Sequence, residues 1–428
     1  MNKQNSRYRW IVFAAVLFTY FLIVSQRTAP GLISDQLMKD FNLTAATIGL
    51  LTSIQFLAYA GLQIPVGIFS DRYGPNYFLI IGAVLNGIGT LIYSMAPNAF
   101  FLLLARLLAG IGDSTIWVNL VLILSQWFRV QEFVKLLGMA GMAGSLGFLM
   151  ATVPYSAWIS SFGWRAPFFS TGVILCLCGL MLYFVLVKRP KQLALTDSES
   201  GVKKAVRKKG QKRENTLLLL RRIFSSRQAW ATFLCHFGLV GTYVGFIGSW
   251  AVPYGMHVYG MTRSGASQLI MVGLIGALIG APLTSWISSR LDSLKRPYII
   301  VHIIVCLSWI VFLIFGGKPP IYLLMILFLI IGYGNGASSL TFAVVRQSFP
   351  IQEVGVVSGF ANTGGFISAV LLPSIFGKIL DHFHAASIST GYRYGFMIPV
   401  MFTLLGLIGG LLIKGKRKEA EQTGEVTA

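Results

Sequence analysis

The sequence predicts an all-α membrane protein of twelve transmembrane helices in two six-helix, pseudo-symmetric halves, and three observations predict it. Hydrophobic residues make up 55% of the 428 and charged ones 11%, with a mean hydropathy of +0.71, a composition foreign to soluble domains. Apolar runs recur at the ~20 residues that a bilayer core requires. They lie near 10–33, 47–69, 77–96, 99–125, 134–157, 167–187, 229–251, 264–287, 298–316, 320–345, 354–376 and 392–413. The halves also repeat: Phe128-x-x-Gln131-Glu132 followed by Gly138 and Gly144 recurs as Phe349-x-x-Gln352-Glu353 followed by Gly359 and Gly365, always 221 positions later.

Taken in order, 1–187 is a first half, 188–228 a cytoplasmic linker, 229–413 a second half and 414–428 a cytoplasmic tail. The first run, from Trp10, follows a basic start without a cleavage pattern and reads as a retained span. A net charge of +21 raises the question of nucleic acid, but the placement of the charge argues for topology instead. With both termini cytoplasmic, 27 of the 35 Lys and Arg fall at the inside, 7 toward the outside, counting Arg27 near the outer end of span one, and Arg106 deep within a span, as the positive-inside rule requires of a protein in a cell inner membrane. Thirteen of them lie between Lys188 and Arg227, so the linker reads as polar and poorly ordered. Its basic run is open to two readings, a contact with anionic lipid or simple solvated charge. Cys176, Cys178, Cys235 and Cys306 all sit in apolar runs and read as packing residues. No Ser/His/Asp set, phosphate loop or metal-ligand spacing appears, so no enzyme, cofactor, resident metal or nucleic-acid partner is expected. Asp381-His382-Phe383-His384 falls in an outside loop, where a metal site and a plain loop are both open readings.

Charges inside the spans carry the chemistry, because an ionisable group at that depth costs at least ~2.5 kcal/mol. In span one, Arg27 is the only basic residue between Trp10 and Ile33, near Tyr20 and Gln26. Its planar fork suits a carboxylate or phosphate in a central cavity; snorkelling to the outer surface, with Pro30-Gly31 ending the helix, is the alternative. Span two ends in Gly67-x-x-x-Asp71-Arg72-x-Gly74. In span four, Arg106, Asp113 and Trp117 stand seven and four residues apart, on one helical stripe. Burial favours the neutral form of a carboxylate and a neighbouring cation favours the charged form, so Asp113 can exchange a proton as the cavity fills. A fixed Asp113 to Arg106 pair would be strained across the ~10 Å rise of seven residues, so Arg106 is expected to meet carbonyl groups. Gly138, Gly141, Gly144 and Gly147 in span five, with Gly273, Gly276 and Gly280 in span eight, provide small faces for close helix approach, as a sliding or a static contact. Trp117, His236, Tyr243, Trp250, Gln268, Asn335 and Asn362 are further candidates to line a cavity, with His236 also open to a proton relay or a packing role. Asp113 falls opposite Asn335 in the repeat.

The Gly67 to Gly74 turn, the Arg106-x-x-x-Gly110-x-Gly112 run, Gly163-Trp164-Arg165 and the repeat together resemble the major facilitator superfamily across the whole chain. The resemblance implies a secondary transporter with alternating access, in which Gly67, Asp71, Arg72, Gly74 and Arg106 form a conformational latch, Asp71 meeting the start of span eleven near Gly355. An ordinary turn with a solvated ion pair is the plainer alternative. Ser288 stands where a second Asp71 would, so such a latch is one-sided. A narrower resemblance, Arg27-Thr-Ala-Pro-Gly-Leu with Arg106-x-x-x-Gly-x-x-Asp113, is to the anion:cation symporters that carry sugar acids and other organic anions. It implies a monomeric carrier in which Arg27 holds the substrate carboxylate and Asp113 takes the coupling proton. Gln26 stands where many members carry an aspartate, and Asp113 where many carry a glutamate. Phosphate-ester antiport and proton-coupled efflux of hydrophobic compounds are the alternative functions; span seven lacks the second arginine of the former.

Overall fold

The structure, a computed structural model, describes residues 7–29, 33–43, 45–151, 153–188, 216–383 and 388–414. Six long helices build the first half: α1 (Tyr8–Thr28), α2 (Ala45–Tyr73), α3 (Pro75–Ser94), α4 (Ala99–Trp127), α5 (Val130–Met150) and α6 (Arg165–Tyr183). Six build the second: α7 (Arg227–Ile247), α8 (Arg263–Arg290), α9 (Lys295–Ile314), α10 (Ile321–Ser348), α11 (Val354–Phe383) and α12 (Met397–Leu412). All but α2 contain or belong to a stretch, among the described residues, long and apolar enough to cross a membrane, Ser389–Leu412 in the case of α12, and α2 itself runs for 29 residues. No strand occurs among the described residues. Helices are the outcome hydrocarbon enforces, since a helix satisfies its backbone groups within one segment.

Local chemistry sets the ends. Asn98 caps α4 by accepting from the N–H groups of Phe100 and Phe101, and Thr262 caps α8 by accepting from Gly265. Gly74 turns the chain at φ +91°, a region open to glycine, and Pro75 starts α3. Span five departs from the expected extent to 157. Helix α5 stops at Met150, and Val153–Phe162 forms a separate helix whose second residue, Pro154, lacks the N–H that continuation would need. Helix α10 is two segments, Ile321–Ala337 and Leu340–Ser348, joined at Ser338 and Ser339, and α7 contains a wide turn at Phe237–Gly241.

The described end of the linker departs from the expectation of poor order. Its last part, Thr216–Phe224, is a helix, because Ile223 is buried and Arg222 pairs with Glu353 at 2.5 Å. The rest of the basic run and the tail, 189–215 and 415–428, lie outside the described residues, as do Pro30, Gly31 and His384.

Two seams join the halves. Along one, α5 meets α8: a Cβ on Gly138 would lie 2.6 Å from the Ser285 hydroxyl, and one on Gly141 would lie 2.7 Å from the Ala281 side chain. Along the other, α2 meets α11, where Gly359 leaves no room for a Cβ against the Gln63 backbone. The glycines of α8 do not share the first seam. Gly273, Gly276 and Gly280 pack on α10 within the second half, because they sit one position, ~100° of helix rotation, from the residues facing α5. Gly144 and Gly147 likewise turn to α1, against Tyr20 and Phe21. A Cβ on Gly332 would lie 1.9 Å from the Gly273 carbonyl oxygen, so Gly332→Ala must push α10 from α8 at a cost of about 1–3 kcal/mol. Thermal unfolding in detergent should show a lowered melting temperature for Gly332→Ala and none for Gly61→Ala, where nothing lies within 4 Å of the added carbon.

Candidate functional site

Helix α1 delivers Arg27 near its end, and α4 delivers Asp113 at its middle, with 9% and 1% of their surfaces exposed. They meet: Arg27 Nε donates to Asp113 Oδ2 at 3.1 Å. The guanidinium therefore faces the bundle interior rather than the outer surface. Asp113 engages Nε, and among the described residues the two terminal nitrogens of Arg27 make no hydrogen bond. The guanidinium carbon stands 5.2 Å over the Tyr59 ring, a cation–π placement. Gln55 Nε2 donates to the same Asp113 oxygen at 2.7 Å, while Oδ1 is buried with no partner among the described residues.

Arg106 does not pair with Asp113. It donates to the backbone carbonyls of Leu51 and Arg27 at 3.4 and 3.2 Å. It thus ties α1 and α2 to α4 within the first half, near the opposite end of the bundle from Asp71. Its grouping with the latch is corrected accordingly.

Helix α2 organises the remainder through residues spaced by four: Gln55, Tyr59, Gln63, Gly67 and Asp71. Each step of four exceeds a turn by ~40°, so the stripe winds from α4 toward α11. Gln55 reaches Asp113; Tyr59 and Gln63 reach Asn362. Asn362 Nδ2 donates to the Tyr59 hydroxyl and to Gln63 Oε1, both at 2.9 Å, and its Oδ1 lies 3.1 Å from His236 Nε2. His236 Nδ1 is 3.4 Å from the Thr341 hydroxyl, which meets Tyr298 at 2.5 Å. The polar chain therefore crosses from one half to the other. Gly67 packs on the Gly355 backbone, and the Asp71 carboxylate accepts from the N–H groups of Gly355 and Val356 at 2.9 and 2.8 Å. Helix N-termini favour such an anion. Arg72 donates to Thr216 of the linker helix.

Aromatic rings close the surroundings. Tyr20 lies 5.3 Å from Trp117, Trp117 5.1 Å from Phe342, and Tyr59 4.2 Å from Phe366. Other expected lining residues stand apart from this group. Gln26 donates to Asn86 on α3, and Trp250 donates to the Pro373 carbonyl and stacks on Phe376, so both are occupied in helix packing. Tyr243 is buried beside Gly273 with its hydroxyl unpartnered among the described residues. Gln268 is exposed, and Asn335 is half-buried between Gly334 and Gly336 without a side-chain hydrogen bond among the described residues. Gln55, Tyr59, Gln63, Thr341, Phe342 and Phe366 escape the reading of the sequence, although the four-residue spacing along α2 is a signal that would find the first three.

A buried pair predicts a specific stability pattern. Arg27→Met alone leaves Asp113 uncompensated and should cost about 3–5 kcal/mol, whereas Arg27→Met with Asp113→Leu should recover most of it. Thermal unfolding of the single and double variants in detergent reads this directly.

A family model described as Major Facilitator Superfamily matches residues 16–373. The D-galactonate transporter of Escherichia coli O6:H1 is 22% identical, covering 97% of each chain. The gentisate transporter of Corynebacterium glutamicum is 25% identical over 86% of this chain and 81% of its own. In fold, the chain is similar to the E. coli fucose:proton symporter FucP, with a TM-score of 0.73 at 17% identity, covering 95% of this chain and 100% of that one. The proton:xylose symporter XylE matches with a TM-score of 0.71 at 15% identity, over 94% and 95%. With the family match running through both halves of a twelve-helix bundle, this multi-pass membrane protein belongs to the major facilitator superfamily.

Proposed function

We propose that this protein is a secondary transporter that moves a small organic anion, a carboxylate or a sugar acid, by proton symport and alternating access. The carrying observation is that Asp113 occupies only the Nε edge of Arg27, leaving the terminal fork for a bidentate anion. Charge balance then couples the proton. Arg27 and Asp113 are neutral together, and an added carboxylate would leave a net negative charge in a buried site. Protonation of Asp113 restores neutrality, and Oδ1, without a partner among the described residues, is the oxygen free to take the proton. Anion and proton thus load together. Both termini are assigned to the cytoplasm of a cell inner membrane, and the carrier acts as a monomer.

In this reading Gly67, Asp71, Arg72 and Gly74 are the latch that closes the face bearing the termini. The carboxylate of Asp71 holds the α11 N-terminus of the opposite half, and opening that face must break both hydrogen bonds. Tyr20, Trp117 and Asn362 belong to the substrate chamber, and His236 extends the polar path into the second half.

Uptake by proteoliposomes of a panel of sugar acids, dicarboxylates and phosphate esters, with and without a pH gradient, tests the function. Asp113→Asn should retain counterflow exchange and lose gradient-driven accumulation; persistent accumulation would remove Asp113 from coupling. Arg27→Lys, which lacks the fork, should raise KM at least tenfold, about 1.4 kcal/mol.

A further inference from the structure

Granting the anion-transport reading, we infer that the preferred substrate is an aromatic monocarboxylate with few hydroxyls, because rings from five helices lie about the Arg27 site while most of the nearby amide, imidazole and hydroxyl groups are already bound to one another. A sugar acid brings a hydroxyl on nearly every carbon. Each one buried without a partner costs about 1–3 kcal/mol, so a site for such a ligand must hold polar groups in reserve.

Around Arg27 that reserve is largely spent. Asn362 uses its amide nitrogen on Tyr59 and Gln63 and its oxygen on His236. Gln63 donates to the Ser114 carbonyl as it accepts from Asn362. His236 has its second nitrogen against Thr341, and Gln55 gives its amide to Asp113. Among the described residues, the unengaged polar atoms close to the aromatic group are Trp117 Nε1, Gln55 Oε1 and the Tyr20 hydroxyl, with Tyr243 Oη further along α7. They could serve two or three hydroxyls, fewer than an aldonate brings.

What the surroundings offer instead is π surface from both halves. Tyr20, Tyr59 and Trp117 come from α1, α2 and α4; Phe342 and Phe366 come from α10 and α11. Offset or edge-on contacts with a planar ligand stabilise beyond area burial alone. A benzoate-like ion would set its carboxylate on the fork and its ring among these side chains, and contact with Phe342 and Phe366 would engage the second half.

Calorimetric titration of the purified full-length protein with benzoate, para-hydroxybenzoate, gluconate and galactonate tests the inference. The expected result is that the two aromatic anions bind at least tenfold more tightly than the two aldonates, and that Arg27→Ala abolishes all binding. Phe366→Leu, which keeps a bulky apolar side chain of somewhat smaller volume and removes the π face, should fold and lose that preference. Aldonates binding as tightly as the aromatic anions, or Phe366→Leu retaining the preference, would overturn the inference and leave anion transport standing. Binding by none of the four, or binding indifferent to Arg27→Ala, would overturn both.

Discussion

A guanidinium and a carboxylate held together out of water, between α1 and α4, constrain everything else in this protein. Either charge alone at that depth is heavily destabilising, and the pair is tolerable only while each compensates the other. Gln55 adds a second donor to the Asp113 oxygen that Arg27 already holds, and Arg106 fixes the Arg27 backbone from behind. The Arg27 guanidinium stands over the Tyr59 ring. The result is a cation whose position is set from three sides while its terminal nitrogens stay unused. Any anion or proton that arrives must preserve the charge balance, which is the physical root of the coupled cycle proposed above.

The same α2 helix that supports the pair also reaches the opposite half. Its stripe begins at Gln55 beside Asp113 and ends at Asp71 on the α11 N-terminus, with Tyr59 and Gln63 gripping Asn362 between them. Tyr59 is the point of overlap: its ring underlies Arg27 and its hydroxyl accepts from Asn362. One helix thus bears both contacts and links the ion pair to the seam between the halves. The α5 to α8 seam differs in kind, being built of Gly138, Gly141, Ala281 and Ser285. Small side chains there allow close approach without tying the halves through charge.

The spans were legible because bilayer thickness and hydropathy act on each run by itself, and the observed helices lie close to the runs marked by hydropathy. Pairwise facts were legible only where a charge narrowed the choice. Asp71 could be placed at Gly355 because the family resemblance implies a latch there and a carboxylate suits a helix N-terminus, and Arg106 could be separated from Asp113 by helix rise alone. Faces were harder. A shift of one residue in α8 turns Gly276 and Gly280 to α10 and Ala281 to α5, and periodicity within a single helix does not say which neighbour each face meets. Residue type groups Gln26 and Trp250 with the chamber, yet Asn86 and Pro373 engage them in helix packing. The linker helix was hidden because its basic surroundings dominate the composition, while Ile223 supplies the buried contact.

The most direct test of the exchange at Arg27 is proton uptake on ligand binding, read with a pH indicator in weakly buffered solution of the purified protein. The account predicts that anion binding draws about one proton from solution into the wild type and none into Asp113→Asn that still binds the anion. Binding by the wild type without proton uptake, or equal uptake by Asp113→Asn, would contradict it.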